Sequence, residues 1–65
     1  MADNEFINRL QTEHAELGIK IDKLVSFIDS PAFEKIASVQ QALLKIQYQS
    51  MLTYKMCILE RLRLL

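Results

Sequence analysis

Residues 4–28, NEFINRLQTEHAELGIKIDKLVSFI, place Ile7, Leu10, His14, Leu17, Ile21, Leu24 and Ile28 at alternating steps of three and four. That spacing is the a/d stripe of a helix built to pack on another helix, sustained over three heptads. Val25 and Phe27 widen the stripe near its end. Asp3 or Asn4 is suited to cap its start. Arg9 with Glu13 and Glu16 with Lys20 are i,i+4 pairs of opposite charge, worth about 0.2–0.5 kcal/mol each. Gly18 falls off the stripe and costs about 1 kcal/mol relative to Ala. A glycine there either admits close approach of a neighbouring helix or has no packing role.

Beyond Ile28, Asp29-Ser30-Pro31 ends the helix. Proline disfavours the α conformation at Ser30 and suits the first position of a new helix, which makes Ser30 an N-cap candidate. A short turn over Pro31–Ala37 carries Phe33 and Ile36 inward. Ser38-Val39-Gln40-Gln41 then matches a capping box, though the turn is equally able to run straight into the next helix. Residues 39–64 form that second helix. One stripe holds Leu44, Gln47, Met51, Tyr54, Ile58, Arg61 and Leu65. An adjacent one holds Tyr48, Leu52, Lys55, Leu59 and Leu62, and Val39, Leu43 and Ile46 add a third apolar edge. A hairpin needs only one buried stripe, so the surplus points to a partner helix.

Two helices of about 25 residues, each roughly 38 Å long, joined by a connector over 29–38, should lie antiparallel. The expected fold is an all-α, coiled-coil-like two-helix hairpin with a short helical connector. With Ile28 beside Val39, the layers pair Leu24 with Leu43, Leu17 with Met51, His14 with Tyr54, Leu10 with Ile58, and Ile7 with Arg61.

Composition narrows the function. A chain of 65 residues makes one domain, and 51% apolar residues with one Gly, one Pro and no Trp exclude a disordered or collagen-like chain. Domains this small bury only about 60% of their unfolded surface and usually need disulfides, a metal or oligomerisation. The single Cys57 closes no internal disulfide, and one His with one Cys makes no zinc site. A homo-oligomer remains. Zero net charge argues against DNA as a partner. Residues 1–34 carry three basic against seven acidic groups and residues 35–65 five against one, so an acidic half either packs on a basic half or leaves a basic surface for a small anion. No apolar run exceeds Met56–Leu59, far short of the roughly 20 residues that span a bilayer. With no apolar leader region, the chain reads as cytoplasmic and without a membrane role.

Catalysis is not expected, because no second base, nucleophile or metal set accompanies His14. Phosphate-loop, HExxH and CxxC motifs are lacking, and no cofactor is implied. Two readings remain for the polar positions. His14, Tyr54 and Gln47 form a buried polar layer that fixes register, or Gln47, Tyr54 and Arg61 line a ligand pocket between hairpins. Tyr48, Tyr54, Phe27 and Phe33 offer faces for stacking on bases. Lys35, Lys45, Lys55, Arg61 and Arg63 offer charge to phosphates. Met51 and Met56 read as gap-fillers, and Cys57 as a buried small hydrophobe.

One pattern is less generic. Arg9-Leu10-x-x-Glu13-x-x-Glu16-Leu17-x-x-Lys20-x-x-Lys23-Leu24-x-x-Phe27-Ile28, then Phe33, then Gln47-x-x-x-Met51-x-x-Tyr54-x-x-x-Ile58-Leu59-x-Arg61, resembles the small helical-hairpin proteins of tailed phages and prophages, including crAss-like phages. Similar phage hairpins are anti-defence sponges: oligomers that sequester the cyclic nucleotide or cyclic ADP-ribose signals of CBASS and Thoeris immunity. The resemblance implies a non-catalytic sponge acting in the host cytoplasm, with Gln47, Tyr54 and Arg61 at its distinctive positions and Arg9, Lys20 and Lys23 at basic ones. In such a sponge Tyr54 or Tyr48 would stack on a base. His14 and Gly18 depart from what the resemblance leads one to expect. An oligomeric adaptor that inhibits or organises a host or phage protein is the alternative.

Overall fold

The computed structural model describes residues 4–65, so Asp3, one of the two candidate caps, lies outside the described residues. Helix α1 runs Asn4–Ile28, a 3-10 helix spans Pro31–Lys35, and helix α2 runs Ser38–Arg63. The helices pack side by side as a hairpin measuring 50 × 15 × 13 Å. No helix among the described residues is long and apolar enough to cross a membrane.

The core follows the predicted stripe of α1. Leu10, Leu17 and Ile21 form one buried cluster with Ile58 of α2, which is 0% exposed. Val25, Tyr48, Met51, Leu52 and Leu62 pack around them. The connector closes the end of the hairpin with its own small core. Phe33 is buried and meets Phe27 edge-on, with ring centroids 6.0 Å apart. The Lys45 ammonium sits 5.7 Å from the Phe33 centroid.

Three local expectations change. Ser30 occupies the residue before the 3-10 helix, but its hydroxyl donates back to the Phe27 carbonyl at 2.6 Å instead of capping forward. Ser38 is already helical, and Ala37 holds the cap position. Gln41, read as the capping-box partner, turns its amide to the connector and donates to the carbonyls of Phe33 at 2.9 Å and Ile36 at 3.3 Å. The Phe33 carbonyl also accepts the Ile36 N–H at 3.4 Å, so the Gln41 amide adds a second bond there and gives the Ile36 carbonyl, beyond the 3-10 helix, a side-chain donor.

The buried polar layer does not form. No polar or charged side chain among the described residues is buried. His14 is half-buried beside Leu52, Lys55, Met56 and Leu59, while Tyr54 is 48% exposed. Helix α2 is therefore rotated so that its second stripe, Tyr48, Leu52 and Lys55, lies on the His14 side of α1. Gly18 faces the same stripe, and a Cβ there would lie 3.2 Å from Lys55 Nζ. The rotation also turns Cys57 to solvent.

Candidate functional site

The open end of the hairpin is built by a repeat of helix spacing. Phe6, Arg9, Leu10 and Glu13 stand at i, i+3, i+4 and i+7, so they surround one hole on the surface of α1. Leu10 forms its floor and belongs to the core. Arg61 reaches over from α2, and together these five residues line a cleft of about 320 Å³. The Arg61 guanidinium lies 5.9 Å from the Phe6 ring centroid. Both arginines and Phe6 are exposed. The cleft thus presents two guanidiniums, one carboxylate and an aromatic face to solvent. Guanidinium forks match phosphate oxygens bidentately, and an aromatic face accepts a base or another cation.

The cleft fixes which edge of the hairpin carries the remaining candidates. Gln47 and Tyr54 precede Arg61 at steps of seven, so all three share one face of α2 over about 21 Å. Arg9, Lys20 and Lys23 fall within about 60° of one another round α1. All six are exposed, and they flank the edge that the Arg61–Phe6 contact defines. Gln47 has only a weak partner, donating to Met51 Sδ at 3.9 Å. Tyr48 is placed elsewhere. It is half-buried on the opposite edge, in a cleft of about 440 Å³ with Val25, Ile28, Asp29, Lys45 and Gln49. Phe6 and Glu13 were not singled out for the site by sequence. The signal for Phe6 was its i,i+3 spacing to Arg9 and i,i+7 spacing to Glu13, masked by the stripe residue Ile7 next to it. Among the described residues no group of His, Cys, Asp and Glu is placed to hold a metal ion.

The chain matches the family described as Sequestin over residues 4–64. It belongs to the Sequestin family. A relative in Enterobacteria phage T4, an uncharacterized 7.5 kDa protein of the denB-rIIB intergenic region, is 35% identical over 54 residues, covering 83% of this chain and 84% of the relative. This relative is a small phage protein of nearly the same length. No solved structure matches.

Proposed function

We propose that this protein is a phage-encoded, non-catalytic anti-defence protein that sequesters a nucleotide-derived immune signal of the cyclic oligonucleotide or cyclic ADP-ribose type. The observation that carries the reading is the convergence of Arg9 and Arg61 beside the exposed Phe6 ring. Phosphate goes to the guanidiniums and a base to an aromatic face, Phe6 or Tyr54. Gln47 supplies an amide for a base edge or ribose, and Lys20 and Lys23 add charge. The Sequestin name supports sequestration, and the T4 relative supports a phage origin. Sequestration needs tight binding and abundance, with no bond made or broken. The clefts of one hairpin are open to solvent, so the full site is completed between copies in a homo-oligomer in the host cytoplasm.

A second reading rests on the apolar residues that α2 leaves exposed, among them Val39, Leu43 and Ile46. An adaptor would use them to hold a host or phage protein. Native mass spectrometry with cyclic di- and trinucleotides and cyclic ADP-ribose isomers separates the two. A defined number of one nucleotide per assembly supports the sponge, and an assembly that takes up none of them supports the adaptor.

A further inference from the structure

We infer that a second copy of this chain docks antiparallel on the outer face of α2, with Ile46 of each copy seated over the open depression beside Ser50 of the other. The inference rests on the proposal that copies assemble, and it names the face and the direction.

Val39, Leu43, Ile46, Ser50, Thr53 and Cys57 follow one another at steps of four, three, four, three and four. All six are exposed, so the hairpin leaves a complete second heptad stripe unpartnered. Ile46, Gln49, Ser50 and Thr53, at i, i+3, i+4 and i+7, together with Lys45 line a depression of about 380 Å³. Four residues in that arrangement are the hole that receives a knob from a facing helix. The depression is shallow and open, and Ser50 and Thr53 leave room over it because they are short. Their hydroxyls are spent on the Ile46 and Gln49 carbonyls, at 3.0 and 3.1 Å, so they present methylene and methyl groups without an unmet donor.

Direction follows from size and charge. The first half of the stripe is large (Val39, Leu43, Ile46) and the second half small (Ser50, Thr53, Cys57). A parallel pair would set large against large and leave the small half empty. It would also place Arg61 and Arg63 beside their own copies. An antiparallel pair seats Ile46 over Ser50 of the partner subunit, Leu43 over Thr53 of the partner subunit and Val39 over Cys57 of the partner subunit. The C-terminal arginines then lie at opposite ends. Close packing in every layer is what favours one pairing over another. This face adjoins Gln47 and Tyr54, so the pairing brings the two copies' candidate edges to one seam.

The test combines sedimentation velocity with cysteine cross-linking. At tens of micromolar the reduced wild-type protein should sediment as a dimer or a multiple of one, and Ile46→Glu as a monomer. Under copper-phenanthroline, Val39→Cys should form a covalent dimer through positions 39 and 57. Wild-type protein should not, because its Cys57 thiols would lie about 27 Å apart along the pair, as would the single thiols of Val39→Cys/Cys57→Ser. A monomeric wild type, a covalent dimer through Cys57 alone, or an assembled Val39→Cys protein that resists cross-linking overturns the pairing. A monomer that still takes up a nucleotide would sink the pairing and leave sequestration standing. An antiparallel dimer that takes up none would do the reverse.

Discussion

The guanidinium of Arg61, in the last turns of α2, lies 5.9 Å from the ring centroid of Phe6, in the first turn of α1. This contact ties the two free ends of the hairpin together and sets Arg61 in the same cleft as Arg9. Exposed cation–π contacts contribute about 0.5–1 kcal/mol. A double-mutant cycle with Phe6→Ala and Arg61→Ala, followed by thermal denaturation, should give a coupling energy of that size. A coupling indistinguishable from zero would show that the contact does not hold the ends.

The proposed site makes a sharper demand on the same pair. Arg61→Lys keeps the charge and loses the planar fork. If phosphate is bound there, nucleotide affinity measured by calorimetry should fall about tenfold or more, equivalent to roughly 1.4 kcal/mol. Arg9→Ala should lose at least as much. Tyr48→Phe, on the opposite edge, should bind as wild type does. Equal affinity in all three variants would place the ligand elsewhere.

Gly18 gives a prediction of opposite sign. Gly18→Ala removes a helix-interior glycine, a gain of about 1 kcal/mol in helix propensity. The added Cβ meets Lys55 Nζ at 3.2 Å and Cε at 3.7 Å, the far end of a flexible side chain that moves aside at little cost. The variant should melt several degrees higher, since 1 kcal/mol shifts Tm by about 4–8 °C in a domain of this size. A lower Tm would mean that Lys55 is held in place more firmly than its contacts indicate.

The contrast between Gly18 and His14 marks where the sequence was readable. The α1 stripe has one apolar face, so Leu10, Leu17 and Ile21 could be assigned to the core from spacing alone. Helix α2 carries apolar residues on several faces, so spacing does not fix its rotation about its own axis. His14 was therefore paired with Tyr54 when it lies beside Leu52 and Lys55. The same ambiguity put Cys57 inside. Of the candidate site, Arg61 was read from the residues as a basic position and Arg9 only through the family resemblance, while Phe6 was hidden by its neighbour in the stripe. Tyr48 was grouped with Tyr54 because both are tyrosines on one helix, yet six residues separate them and they face opposite edges.

Two isoleucines of α2 separate the hairpin's own stability from that of an assembly. Ile58 is 0% exposed and belongs to one buried cluster with Leu10, Leu17 and Ile21. Ile58→Ala removes buried methylenes and leaves a cavity, at a cost of about 2–5 kcal/mol, which should unfold much of the protein at any concentration. Ile46 is 61% exposed in the hairpin, so Ile46→Ala should leave the stability of dilute protein nearly unchanged. If copies pair through this face, the wild-type Tm rises with protein concentration by mass action, and Ile46→Ala flattens that rise. Circular-dichroism melts of both variants across a hundredfold range of concentration measure this directly. A concentration-independent wild-type Tm would mean that the hairpin stands alone, and an equal loss in both variants would mean that Ile46 is part of the folded core.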